Sequence, residues 1–278
     1  MNDVTRIAIV CNPRKEAAGG LAERIRERFE GEGARVGLFD SSEEAVVPES
    51  RAGGEWHLAF SLGGDGTVLR TARAFAPGGT ALFPVNLGKV GFLAWVPPAQ
   101  WEACYDAWRA AGGAAASRMM LEARVLRDGA RAEGAYCLNE AAVVGTGPGR
   151  ILDLRARVQD AVLSKCRADG LIVAGPAGST AWALSAGGPV LDPALEALAV
   201  VPICPFGKRG APILLPAGLE VTVEQTGDKQ QAASLVVDGQ LSFPLRPGDK
   251  VSVRRAPFPC RIVTQSRGDF YKALEEKL

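Results

Sequence analysis

The 278-residue chain has a single histidine, His57, and no Cys-x-x-Cys pair among its six cysteines. A Ser-His-Asp triad or a histidine-ligated metal therefore has almost nothing to be built from, and any general base is expected to be a carboxylate. His57 lies in a segment that reads as a buried strand and is taken as structural. The cysteines, Cys11, Cys104, Cys137, Cys166, Cys204 and Cys260, are scattered and read as thiols of a reducing compartment. An excess of charge of one sign is also lacking: 32 Lys plus Arg face 31 Asp plus Glu. No global field points to nucleic acid or an anionic membrane, so anion binding has to be local. No apolar run approaches the ~18 residues of a membrane span, and no basic-then-apolar leader opens the sequence, so the expected location is the cytoplasm. Two nucleotide signatures are missing too. There is no G-x-x-x-x-G-K-[ST], and Gly64-x-Gly66 is followed by Leu69 where the dinucleotide fingerprint needs glycine. A P-loop enzyme and an ordinary dehydrogenase are thereby excluded.

What is present is strand and helix in alternation. Residues 6–11, 36–39, 56–62 and 81–85 read as buried apolar strands, and Leu21, Ile25 and Phe29 share one helical face that stops at Gly31. Trp101, Cys104, Tyr105 and Trp108 recur at i, i+3, i+4 and i+7, the spacing of a core-facing helix surface. The alternation predicts a parallel sheet wound with helices, which binds ligands at the strand C-terminal ends. Past Gly112-Gly113 and the alanine run the pattern changes to short strands with turn signals, at 121–126, 152–158, 171–174, 219–224, 234–237 and 250–254. The fold expected is an α/β domain over residues 1–118 and a β-rich, sandwich-like domain over 119–254. A C-terminal helix within 255–278 returns to the first domain.

Four clusters can carry chemistry. In the first, Gly63-Gly64-Asp65-Gly66-Thr67 follows a strand and precedes a helical stretch. Its glycines let an anion approach backbone N–H groups and the positive end of the helix, with Asp65 alongside; the alternative is a tight turn in which Asp65 or Thr67 caps the helix. Arg70 and Arg73, one turn further on, face either transferring phosphates or solvent, and Lys89 and Arg150 are weaker cationic candidates. The second cluster, residues 86–93, offers Asn86 as a polar hook and Phe92 as a stacking face, or forms a plain turn with a core Phe. The third is Leu138-Asn139-Glu140, an amide beside a carboxylate suited to a ribose or base edge. The fourth runs from Arg167 to Trp182 and on to Pro189, small residues and hydroxyls at a turn after a strand. Asp238-Gly239 reads first as a hairpin turn.

The ordered set "GGDGT", "NLGKVGFL", "LNE", "DGLIVAGPAGSTAWALSAGGPV" and "VVDG" resembles the NAD kinases over roughly residues 60–245, and the terminal "LEEKL" is also similar. "GGDG" alone is shared with diacylglycerol and sphingosine kinases and with phosphofructokinases; the ordered set is the specific signal.

The resemblance implies a two-domain, oligomeric kinase, a homodimer or homotetramer. It would use Mg²⁺ and ATP, or in some members polyphosphate, to phosphorylate the adenosine 2′-hydroxyl of NAD, giving NADP. It implies Asp65 as the general base or orienter, and Gly63, Gly64, Gly66 and Thr67 as the phosphate loop. Phe92 is implied near the adenine, and Asn139 and Glu140 on the adenosine and its ribose. Asp169, Ser179, Thr180, Ala181 and Trp182 complete the NAD site, partly from a neighbouring subunit. The family loop reads Thr-Pro-Thr-Gly-Ser-Thr-Ala-Tyr, and this chain departs from it with Gly175, Ala177 and Trp182, losing two hydroxyls and a phenol. Two rivals stand beside this reading: a lipid kinase sharing the glycine loop, and a catalytically silent NAD(P)-binding regulator.

Overall fold

The computed structural model describes residues 4–14, 16–42, 56–88, 91–147, 151–207, 210–226, 231–264 and 268–277. The chain divides into two compact units, Met1–Ser117 with Phe258–Leu278, and Arg118–Pro257. Among the described residues no helix is long and apolar enough to cross a membrane, and none of the six cysteines is in a disulfide.

The first unit holds strands β1 (Arg6–Cys11), β2 (Arg35–Asp40), β3 (Leu58–Gly63) and β4 (Ala81–Asn86) in the order β2-β1-β3-β4, every pair parallel. Strands buried on both faces need continuous apolar runs, and Leu58, Ala59, Phe60, Ser61 and Leu62 are all buried. Helices α1 (Glu16–Gly31), α2 (Asp65–Phe75) and α3 (Trp101–Ala110) lie against this sheet. The aromatic stripe of α3 is core: Trp101 and Tyr105 are buried, Tyr105 meets Phe29 edge-on with ring centroids 5.0 Å apart, and Phe60 lies 4.9 Å from Phe83. His57 is not inside a strand. It occupies a bend one residue before β3, half-buried, and its Nδ1 accepts the Thr5 N–H at 3.2 Å.

The second unit is built from strands β5 (Ala116–Arg127), β6 (Ala130–Cys137), β7 (Glu140–Gly145), β8 (Leu152–Val158), β9 (Ala161–Ala168), β10 (Gly170–Ala174), β11 (Ala197–Ile203), β12 (Ile213–Pro216), β13 (Val221–Gln225), β14 (Ala233–Val237), β15 (Leu241–Leu245) and β16 (Lys250–Ile262); β5 and β16, at 12 and 13 residues, run well beyond the short strands expected at 121–126 and 250–254. Six of them form an antiparallel sheet in the order β12-β11-β10-β7-β14-β15. β8 lies antiparallel between β9 and β13, β13 pairs with β16, and β5 pairs with β6. Leu121, Val125, Leu154, Val223 and Val251 share one buried cluster with Val143, Val173 and Leu235 of the six-stranded sheet, so the two layers enclose a single core. The chain then leaves along β16, whose Arg261 and Ile262 pair in parallel with β4 in the first unit. It ends in a helix Gly268–Lys277, numbered α5 after the short turn α4 (Trp182–Ser185).

One buried carboxylate holds the β layer together electrostatically. Glu122 is 3% exposed at its side chain and accepts from Arg124 at 2.6 Å and from Arg254 at 3.0 Å. Burial pushes its pKa up, but the hydrogen bonds from Arg124 and Arg254 outweigh burial and hold it below the usual carboxylate range. Glu122→Ala strands these guanidiniums and opens a void, so it is expected to lower stability by about 3 kcal/mol, read as a shifted urea midpoint.

Candidate active site

The glycine turn closes β3 and opens α2. A Cβ at Gly63 would lie 2.2 Å from Thr67 Oγ1, so only glycine permits the Thr67 side chain to fold over the turn. Helix α2 starts after Gly64 with no side-chain hydrogen bond at its cap. The turn closes on its own backbone, with the Thr67 and Val68 N–H groups both donating to Gly64 O, at 2.9 and 3.3 Å.

The Asp65 carboxylate turns away from its own helix. Its Oδ2 accepts the Phe92 N–H at 2.8 Å, and its Oδ1 accepts those of Leu93 at 3.1 Å and Ala94 at 2.9 Å. A Cβ at Gly91 would sit within 1.8 Å of Oδ1, so the close approach depends on that glycine. A carboxylate offers about four acceptor sites; three are used, and the remaining one lies on Oδ2. Asp65 thus anchors the second loop while keeping one acceptor position for a hydroxyl.

In that second loop Asn86 behaves as a turn residue, its Oδ1 accepting the Gly88 N–H at 2.9 Å. Lys89 and Val90 lie outside the described residues, as does Arg150. The Phe92 ring is half-buried against α5: Phe270 lies 6.2 Å away between centroids, and the Lys277 ammonium stands 4.5 Å over the ring. Arg70 and Arg73 lie half-buried on α2, one turn apart.

In the second unit Asn139 closes the bend after β6, and Glu140 is the first residue of β7; both are buried. Asn139 Oδ1 and Glu140 Oε2 are buried with no hydrogen-bond partner among the described residues. Asp238, at the turn between β14 and β15 with φ 51°, accepts the Asn139 N–H at 2.8 Å and the Leu138 N–H at 3.3 Å. It is therefore a turn residue whose carboxylate also braces the Asn-Glu bend, a role the sequence reading missed. Burial, and after it the nearby Asp238 charge, pushes the Glu140 carboxyl up to about 8.

The fourth cluster wraps this bend. Gly175 N–H donates to Asn139 O at 3.0 Å, and a Cβ at Gly178 would lie 2.1 Å from the same oxygen. Ser179 is fully buried; its hydroxyl donates to Pro176 O at 2.7 Å and accepts the Leu191 N–H at 2.9 Å, which makes it the knot of the loop. Thr180 Oγ1 reaches Ala177 O at 3.3 Å. Ala181 and Trp182 are half-buried at the start of α4. Asp169 lies between β9 and β10, half-buried, fixed by backbone bonds to Ile203 and Gly145. Gly178→Ala is expected to push the loop off Asn139 and cost about 2–4 kcal/mol, measured by thermal denaturation.

These two units define a class: a two-part α/β and β protein with a strand–glycine turn–helix in one unit and a buried amide oxygen and carboxyl oxygen without hydrogen-bond partners among the described residues in the other. The sequence profile of the ATP-NAD kinase N-terminal domain matches residues 40–110, and that of the ATP-NAD kinase C-terminal domain matches residues 138–265. The chain belongs to the NAD kinase family. It is 38% identical over 280 residues to an NAD kinase of Symbiobacterium thermophilum, covering 98% of both chains. It is 37% identical to one of Nitratidesulfovibrio vulgaris, covering 98% of this chain and 95% of the other. Among solved structures, an NAD kinase from Archaeoglobus fulgidus in complex with ATP superposes with a TM-score of 0.75 at 27% identity, covering 98% of each chain. Yeast NADH kinase complexed with NADH superposes at 0.84 with 21% identity, covering 99% of this chain and 88% of the other, a likeness of fold.

Proposed function

We propose that the protein transfers the terminal phosphoryl group of ATP to the 2′-hydroxyl of the adenosine ribose of NAD, giving NADP. The observation that carries this reading is the buried, unsatisfied pair Asn139 Oδ1 and Glu140 Oε2. Buried polar atoms without partners are rare and costly; vicinal ribose hydroxyls or a base edge would supply the missing donors. Asp65, with one acceptor position left on Oδ2, orients the attacking hydroxyl or takes its proton late in a loose transition state. Gly63, Gly64, Gly66 and Thr67 receive the phosphates, and Arg70 and Arg73 add positive charge. Phe92 borders the adenine, with Phe270 and Lys277 fixing its ring. Asp169, Ser179, Thr180, Ala181 and Trp182 complete the NAD site.

Among the described residues no three His, Cys, Asp or Glu side chains cluster to hold a metal. A divalent ion would therefore arrive on the ATP phosphates and not in a cage of protein ligands. When bound, Mg²⁺ neutralises charge developing on the phosphate oxygens. The lipid-kinase rival is not favoured, since the relatives compared are NAD kinases. A homodimer or homotetramer is supported by the exposed Phe206, Leu195 and Leu214 of the β unit. Six thiols outside any disulfide support a reducing, cytoplasmic setting.

Incubating the protein with NAD, ATP and Mg²⁺, and coupling to a strictly NADP-dependent dehydrogenase, is expected to give a continuous signal. Folded protein that binds NAD yet yields no NADP would leave the silent-regulator reading standing instead.

A further inference from the structure

The end of the first unit's sheet away from the Gly63 turn carries a cavity of about 420 Å³. The rise along β3 from His57 to Gly63 separates it from that turn by about 20 Å. His57, Arg109, Arg261, Trp56 and Trp108 line it, and no Asp or Glu does among the described residues.

The hydrogen bonding of His57 is one donor too many. Its Nδ1 accepts the Thr5 N–H at 3.2 Å, so the ring proton belongs on Nε2, yet Nε2 faces Arg6 Nη2 at 3.5 Å. Arginine has no acceptor, so with the ring proton on Nε2 both groups are donors, and an anionic oxygen beside them can accept from both. Arg261 spends one donor on Gly79 O at 3.3 Å and has further N–H groups in its fork. Arg109 forms no ion pair among the described residues. The α3 terminus does not oppose an anion with bare carbonyls: those of Ala107, Trp108 and Arg109 are taken by the N–H groups of Ala111, Gly113 and Gly112. The half-buried Trp108 indole is fixed by its bond to Ala114 O at 2.7 Å.

We propose that this cavity is a second ligand site, selective for a phosphate monoester carrying a planar ring. Arg109, Arg261 and His57 Nε2, with Arg6 Nη2 3.5 Å from that nitrogen, bind the phosphate, and Trp108 flanks the ring. The site lies wholly within one unit, and its occupancy is read without turnover, so it stands or falls apart from the kinase activity.

The single histidine makes the test direct, because its ring gives one unambiguous ¹H–¹³C resonance. The full chain is titrated with phenyl phosphate and separately with inorganic phosphate, at ionic strength matched with chloride. Phenyl phosphate is expected to shift the His57 signal saturably with a Kd of about 1 mM or below, and inorganic phosphate to bind about tenfold more weakly. Arg109→Gln, at a helix end, is expected to weaken phenyl phosphate at least threefold. Arg109→Gln combined with Arg261→Gln should weaken it tenfold or more, with the tryptophan indole resonances unmoved in the free protein. No saturable shift, or an undiminished one in Arg109→Gln, would overturn the site; equal affinity for the two phosphates would overturn its selectivity for a ring.

Discussion

Asp65→Asn is expected to lower kcat by about 10²–10⁴-fold in the coupled assay, the range that a positioned general base contributes. The structure adds a second consequence. The amide oxygen of Asn can still accept from Leu93 and Ala94, but its NH₂ would meet the Phe92 N–H donor to donor where Oδ2 now accepts at 2.8 Å. That unmade bond should cost about 1–3 kcal/mol, visible as a lowered melting temperature. KM for NAD is expected to change far less than kcat, since the adenosine contacts proposed for Asn139 and Glu140 are left untouched. Full activity in a variant with an intact fold would remove Asp65 from the chemistry and leave it only the loop anchor.

Glu140→Gln is expected to abolish the loss of stability with rising pH in the ligand-free protein. The folded-state pKa, raised to about 8 from an ordinary 4.5 by burial and then by the Asp238 charge, means the native state holds a proton that the unfolded chain releases. Stability from this group is therefore fully present below pH 4.5 and is lost progressively as the pH rises towards 8. The swing amounts to on the order of 4 kcal/mol. Gln is neutral throughout, so the variant's curve should run flat across this window, meeting the wild type near pH 5 and exceeding it at pH 9. Urea midpoints at intervals from pH 5 to 9 measure this directly. Parallel curves would mean that water or a rearranged Asp238 already relieves the carboxylate.

Much of the scaffold was readable because burial on both faces writes itself as unbroken apolar runs. β1, β3 and β4 lie within a residue or two of the positions expected, and the aromatic stripe of α3 is core. The strands β9 and β12 gave little signal: half of the eight residues of β9 are exposed, and β12 spans four residues, too few for alternation to register. His57 reads as a strand residue because its neighbours are apolar, although the bend before β3 claims it.

At the candidate site Gly63 was legible, since the Thr67 side chain folded over the turn demands it, whereas Gly64 has open space where a Cβ would stand. The partners of Asp65 were not, because they are backbone N–H groups 27 to 29 residues away and any amino acid except proline supplies one. Asp238 escaped for the same reason: its contacts with Leu138 and Asn139 span about a hundred residues and use only main-chain donors. Ser179 was legible as a hydroxyl in a small-residue loop, but its bonds to Pro176 and Leu191 make it a structural knot, a use its neighbours in sequence do not announce.

The anchor made by Asp65 is blind to side chains. Holding residues 92 to 94 by their amides, it constrains only their backbone. Phe92 and Leu93, both half-buried, can therefore vary in descendants of this sequence without loosening the grip, whereas Ala94 is fully buried and has to stay small. The aspartate, the bare Gly91 that admits it, and the exclusion of proline from three positions stay fixed as well. Such a division lets the loop's outward side chains change by single substitutions while the Asp65 carboxylate keeps its place.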